Sequence, residues 1–225
     1  MNPPTSPAAP FADPAETWNR RFAGDAYVYG TEANSWLQEH ANVWKPGQRV
    51  LSVADGEGRN SVWLAGRGLQ VDAFDIAEVG VAKARRLAAA RGVQVHFEVS
   101  DCDAFAWPAD TYDGIVAIFV QFADPAMRER LFAHIRRSLR PGGVLVLLGY
   151  TPRQLEFATG GPGRADHMYT ESLLREAFAG LEIAVLREYE IEVAEGHGHH
   201  GRSALVGMVA RRPLHPAAPR TAPQP

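Results

Sequence analysis

A single cysteine, Cys102, stands in the whole chain. That excludes an intramolecular disulfide and every zinc motif built on several cysteines, and it fits a reducing compartment. The residue reads most simply as a small buried hydrophobe. Long apolar runs are missing as well. The longest, residues 115–120 and 144–148, are strand-sized and far short of the roughly 20 residues that a membrane-spanning helix needs. There is no basic excess: 23 Lys and Arg against 26 Asp and Glu leave a formal charge of -3, so nothing offers a footprint for a phosphate backbone and no nucleic-acid partner is expected. The opening Met1-Asn2-Pro3-Pro4-Thr5-Ser6-Pro7 lacks both the basic start and the apolar stretch of a secretory signal. The expectation is a cytoplasmic protein without membrane attachment, monomer or homodimer, acting on a small molecule.

What is present suits one sizeable α/β core: 225 residues, 46% of them hydrophobic and 22% charged, with one catalytic domain as the default. Residues 1–14 and 213–225 are rich in proline and alanine and lack apolar periodicity, so they read as disordered tails around a domain of residues 15–212. Inside it, strand-like runs at 49–53, 69–74, 93–99, 112–119 and 144–150 alternate with helical patterns at 15–23, 34–43, 59–67, 77–91 and 126–139. That alternation is the signature of a mostly parallel sheet with helices on both faces. The Gly/Pro-rich stretch 151–167 is long enough for an active-site lid. After a helix capped by Thr170, strands 182–193 and 203–211 are joined by the glycine- and histidine-rich segment 194–202. With no helix between them, they must pair as a hairpin.

The most informative stretch is Val50-Leu51-Ser52-Val53-Ala54-Asp55-Gly56-Glu57-Gly58, running into Arg59-Asn60-Ser61. It reads as a buried strand, a glycine turn and a helix start, the means by which open α/β sheets hold adenosine-containing ligands. Asp55 and Glu57 alternate with Gly56 and Gly58. A pyrophosphate at this turn would meet their negative charge at close range, and a cationic cofactor would not.

On these residues the chain resembles the class I S-adenosylmethionine-dependent methyltransferases. Tyr27-Val28-Tyr29-Gly30-Thr31 ahead of the turn, and Glu195-Gly196 with His199 and Gly201 near the end, are most similar to the small tellurite-resistance and thiopurine-type branch. The resemblance implies a Rossmann-like, doubly wound α/β fold whose seven-stranded sheet is mostly parallel and ends in an antiparallel hairpin strand. It also implies S-adenosyl-L-methionine as cofactor, and methyl transfer by in-line displacement to a small nucleophile such as a thiol or chalcogen oxyanion. Two other readings stay open. One is a non-catalytic S-adenosylmethionine-binding protein. The other, a nicotinamide-dependent oxidoreductase, is opposed by the acidic turn, the terminal hairpin and the lack of a third glycine in Arg59-Asn60-Ser61. Two departures stand out: Ser52 where an aspartate is common and Ala54 where the first glycine is common. The contact to the methionyl amine must then come from Asp55 or from backbone carbonyls.

Carried over residue by residue, the resemblance places Asp75, seventeen positions after Gly58, against the ribose hydroxyls, Ile76 against adenine, and Asp101 with Cys102 at the adenine amine. The full expected cofactor set is Trp18, Arg21, Tyr29, Ala54, Asp55, Gly56, Gly58, Asn60, Asp75, Ile76, Asp101, Cys102 and Phe119. Each has a plainer reading: Asp75 as a helix cap, Asp101 as a turn residue, Phe119 as the end of a core strand. Arg59 would be unusual beside a positive helix end unless Asp55, Glu57 or a substrate anion balances it. The expected acceptor pocket is Tyr29, Phe119, Gln121, Tyr150, Arg153 and His199. Trp18, Tyr29 and Tyr150 would either cage the sulfonium or pack the first helix onto the sheet. His197 and His199 share a strand face, yet no third ligand completes a metal site, and none is expected. His199 reads instead as a proton acceptor or anion contact in a loop over the pocket. No dedicated base is required, because a sulfonium donor needs chiefly alignment and exclusion of water.

Overall fold

Asp13 opens the first helix, α1 (Pro14–Phe22): its carboxylate accepts the Glu16 N–H at 2.9 Å and proline takes the first helical position. In the computed structural model, residues 13–196 and 199–214 are described. Most of both expected tails lies outside them. At the inner edge the expectation is corrected by two residues, since an aspartate cap followed by proline starts the helix inside the presumed tail.

Seven strands follow, β1 (Arg49–Val53), β2 (Gln70–Asp75), β3 (His96–Val99), β4 (Tyr112–Ile118), β5 (Leu139–Tyr150), β6 (Glu182–Glu195) and β7 (His199–Arg211). They form one sheet in the order β3-β2-β1-β4-β5-β7-β6. Neighbours from β3 to β5 pair in parallel, and β7 runs antiparallel to both β5 and β6. The order reverses between β1 and β4, which puts the ligand crevice of a doubly wound sheet at their carboxyl ends.

Period-two alternation divides the core between the faces. Leu51, Val53, Ile115, Ala117, Leu145 and Leu147 point to one side, where they meet α5 (Pro125–Ser138) and α6 (Glu171–Ala177) through Phe132, Ile135, Leu174 and Phe178. Val50, Val116, Val146 and Leu148 point to the other, against α2 (Ser35–His40) and α3 (Arg59–Gly66) through Trp36, Leu37 and Leu64. The long α4 (Glu78–Arg91) closes with Gly92 in the left-handed conformation.

Three strand boundaries shift by three residues or more from the sequence reading. Strand β3 begins at His96 rather than residue 93. Strand β5 begins at Leu139 rather than residue 144 and takes in Pro141-Gly142-Gly143 as a register shift, with Tyr112 opposite Leu139 and Gly114 opposite Val144. The presumed hairpin loop 194–202 is mostly ladder, pairing Val193 with Gly201, Ala194 with His200 and Glu195 with His199. Ion pairing of Arg202 with Glu190 at 2.5 Å across the two strands accompanies that extension. The stretch 151–167 contains two short 3-10 turns, Pro152–Glu156 and Ala165–His167. It lies pinned on β7, where Gln154 accepts the Ala204 N–H at 2.8 Å and Thr159 donates to the Arg202 carbonyl at 2.5 Å.

Candidate functional site

Adjacent strands β1 and β4 are each followed directly by a residue with left-handed backbone, Ala54 at φ 48° and Phe119 at φ 57°. Neither is glycine, so both carry backbone strain, and strain of this kind gathers at ligand sites. Ala54 thus occupies with a methyl group the conformation for which glycine is the ordinary choice. In the turn that follows, Gly56 has φ 62° and Gly58 has φ 90°. A Cβ on Gly58 would lie 2.6 Å from the Ala84 Cβ, so this glycine serves the close approach of α3 to α4.

The two carboxylates of the turn face inward, which corrects the electrostatic argument made from sequence. Asp55 accepts the Ser52 hydroxyl at 2.7 Å and the Ser61 N–H at 3.3 Å, and the Ser61 hydroxyl as well. Burial raises its pKa, and these serine bonds and Arg59 work against that rise. Its place is the N-terminus of α3, where a phosphate would otherwise bind. Glu57 is buried against the Lys83 ammonium at 2.5 Å and accepts the backbone N–H of Val28 at 2.8 Å and of Tyr29 at 3.4 Å. Its charge is neutralised inside the fold. Arg59 finds its counter-charge in Glu195, at 2.7 Å, and donates to the Tyr29 carbonyl at 3.2 Å. Of the partners considered from sequence, Asp55 lies within the electrostatic reach of Arg59, while the direct ion pair goes to Glu195.

At the end of β2, Asp75 takes the Gly56 N–H on Oδ2 and the Ala77 N–H on Oδ1, each at 2.8 Å. These bonds tie the glycine turn to the residue that precedes α4; the helix cap of the plainer reading is not realised, since Ala77 holds the N-cap position, and each oxygen keeps further lone pairs for hydroxyl donors. Burial pushes its pKa up to about 6; the two N–H bonds oppose this and the nearby Asp55 adds to it. A buried carboxylate so incompletely compensated suits a vicinal diol. Ile76 beside it is half-buried. Asp101 accepts the Asp103 and Ala104 N–H groups at 2.8 and 2.7 Å through Oδ1, a turn role. The Cys102 thiol lies in the core with Phe74, Phe105 and Trp107, and burial pushes its pKa up to about 12. It behaves as the inert hydrophobe of the plainer reading.

Trp18, Arg21 and Tyr29 come together, with the Arg21 guanidinium 5.5 Å from each ring centroid. Tyr150 stacks instead on Phe119 at 4.8 Å. Of the three rings that would cage a sulfonium or pack the first helix, two already face the Arg21 cation, and Tyr29 lies near enough to Tyr150 to add to the rise of its pKa. Burial raises the pKa of both phenols, with Arg21 opposing the rise at Tyr29 and Glu195 adding to it at Tyr150, so both hydroxyls stay protonated at neutral pH.

Other candidates are engaged elsewhere. Gln121 is spent on the Tyr150 backbone, donating to its carbonyl at 2.8 Å and accepting its N–H at 2.6 Å. Asn60 accepts the Asn34 N–H at 3.0 Å and joins α3 to the residues before α2. The Arg153 guanidinium is exposed and pairs with Glu190 at 2.8 Å. All three side chains serve as ties between segments of the fold. His197 lies outside the described residues, and of His199 only the backbone is described, opposite Glu195. Among the described residues, no group of three or more His, Cys, Asp or Glu gathers as a metal site, and no helix is long and apolar enough to cross a membrane.

The sequence reading missed Lys83 and the counter-charge role of Glu195. For Lys83 a signal existed: it interrupts the face Gly80, Ala84, Leu87 of α4, all buried, at helical spacing. A charge inside such a stripe needs a buried partner.

Strained strand ends at the switch point, a capped helix N-terminus and a buried carboxylate after β2 define a nucleoside-binding doubly wound α/β protein. The family described as methyltransferase domain matches residues 50–143. A thiopurine S-methyltransferase from Pseudomonas fluorescens is 31% identical over 179 residues, 71% of this chain and 81% of that protein. Among solved structures of low identity, which show the fold alone, TehB from Haemophilus influenzae has a TM-score of 0.66 at 17% identity, covering 88% of this chain and 66% of that one. The N-methyltransferase NodS from Bradyrhizobium japonicum, in complex with S-adenosyl-L-homocysteine, has a TM-score of 0.65 at 14% identity, covering 88% and 98%. Against two other curated relatives the chain spans 50% and 36% of their length. The chain belongs to the class I S-adenosylmethionine-dependent methyltransferases, the family whose methyl donor is S-adenosyl-L-methionine.

Proposed function

We propose that this protein moves a methyl group from S-adenosyl-L-methionine to a small anionic nucleophile, a thiolate or a chalcogen oxyanion. The observation that carries the cofactor half is Asp55 on the N-terminus of α3. It fills the seat that a pyrophosphate would need, which disfavours a nicotinamide dinucleotide. In this reading Asp75 accepts the ribose hydroxyls, Ile76 and Asp101 flank the adenine, and the backbone at Ala54 and Phe119 meets the methionyl end. The bound cofactor supplies a methyl group already activated on a sulfonium with a neutral thioether leaving group.

What remains for the chain is to bind, orient and exclude water. The Tyr29 and Tyr150 hydroxyls, kept protonated by burial, donate hydrogen bonds, and the Arg21 guanidinium adds positive charge at the rim. Such a lining favours an acceptor that arrives ionised, so no side chain has to remove a proton. The thiopurine S-methyltransferase relative is named for a sulfur acceptor and supports the same class. The test is transfer of labelled methyl to a panel of thiols, thiopurines, selenite, tellurite, amines and phenols. Turnover confined to sulfur, selenium and tellurium acceptors supports the reading, and turnover on amines or phenols alone overturns it.

A further inference from the structure

Residues 22–30 cross above the glycine turn as a strap, and its hold on the domain is unusual. Six of its backbone groups are tied to three buried charged side chains. Lys83, 1% exposed, donates to the carbonyls of Phe22, Gly24 and Ala26 at 3.3, 2.8 and 2.6 Å. Glu57 accepts the N–H groups of Val28 and Tyr29, and Arg59 donates to the Tyr29 carbonyl. The Tyr27 hydroxyl returns the contact, donating to the Lys83 carbonyl at 3.1 Å, and its ring lies 5.0 Å from the Lys83 ammonium. By contrast, the backbone bonds of this stretch are local, Ala23 to Arg20 and Gly30 to Tyr27.

The strap in turn builds the site. Phe22, its first residue, lies where a Cβ on Gly56 would be 3.4 Å from its ring and one on Gly80 would be 3.0 Å away. At the other end, Tyr29 faces Arg21 and Gly30 packs on Gly196 at the hairpin tip. A single buried ion pair therefore reaches both ends of the wall over the glycine turn.

We propose that Glu57 and Lys83 are positioning residues of the methyl-transfer site: their buried pair seats the strap, and the seated strap sets how tightly the cofactor is held. This rests on the methyl-transfer reading above. Removing one partner alone leaves an uncompensated buried charge, so the informative variant replaces both, Glu57→Gln with Lys83→Met. The freed carbonyls of Gly24 and Ala26 belong to exposed residues and can take water.

Hydrogen exchange of residues 22–30 and calorimetry with S-adenosyl-L-homocysteine are measured on wild type and the double variant. Faster exchange confined to the strap, with affinity about tenfold weaker, a raised KM for S-adenosylmethionine and a smaller change in kcat, supports the assignment. Exchange at the wild-type rate, or fast exchange with unchanged affinity, overturns it. Should the double variant fail to fold, Tyr27→Phe removes only the hydroxyl bond to Lys83 and carries the same readouts at about threefold amplitude. Wild type that binds no S-adenosyl-L-homocysteine would defeat the methyl-transfer reading, while strap exchange would still judge the clasp.

Discussion

Asp75 carries the heaviest chemical demand of any single residue at the sheet edge. Its folded pKa of about 6 lies above the unfolded value of 3.8, so between those values the native chain holds the extra proton. The sign follows: its contribution to stability is full below about pH 4 and is lost as pH rises through about 6, by on the order of 3 kcal/mol. Denaturation curves from about pH 4 to 7 should show a loss in wild type that is smaller by about 3 kcal/mol in Asp75→Asn, the remainder belonging to other buried carboxylates such as Asp55. Cofactor affinity runs the other way, since hydroxyl donors need the ionised form, and it should climb as pH rises through about 6. Asp75→Ala should weaken S-adenosyl-L-homocysteine binding by about 1.5 to 3 kcal/mol in calorimetry; unchanged affinity would leave Asp75 as a backbone tie. Ala54, at φ 48°, makes the complementary prediction: Ala54→Gly should raise unfolding free energy by about 1 kcal/mol. At this scale sequence was a partial guide. Asp75 and the glycines were legible from spacing after a strand, whereas the direction of the Glu57 side chain depended on Lys83, a neighbour 26 positions away.

The elements themselves were well marked, because their signals are local. Asp124 with Pro125, Gly92 and Thr170 fix helix ends through bonds made within a turn. Where a boundary depended on a partner strand, the reading slipped: the segment 194–202 looked like a glycine-rich loop, and only the ladder between β6 and β7 makes Ala194, Glu195 and residues 199–202 strand. Gly58 shows how two elements constrain one residue, with a left-handed φ and an α4 neighbour 2.6 Å from a would-be Cβ. Gly58→Ala should cost about 3 kcal/mol or more in chemical denaturation, well above an ordinary Gly→Ala change. The N-terminal strap and the hairpin tip meet through Gly30 and Gly196, where a Cβ would lie 2.6 Å from the Gly30 nitrogen. Segments remote in sequence thus close over the crevice together, a meeting that no periodicity announces.

For the whole molecule, the fold places the glycine turn, Asp75 and the strained ends of β1 and β4 on one edge, and the buried ion pairs bring α1 and the hairpin to that edge. The donor side of the reaction follows from this arrangement; the acceptor side is argued from protonated phenols and one rim guanidinium. The central claim is a site for adenosine joined to a sulfonium rather than to a pyrophosphate, with Asp55 filling the phosphate seat. Calorimetry of the full chain with S-adenosyl-L-homocysteine and with NADH tests it most directly. The account predicts binding of S-adenosyl-L-homocysteine, lost or strongly weakened in Asp75→Ala, and no binding of NADH; tight NADH binding without S-adenosyl-L-homocysteine binding would contradict it.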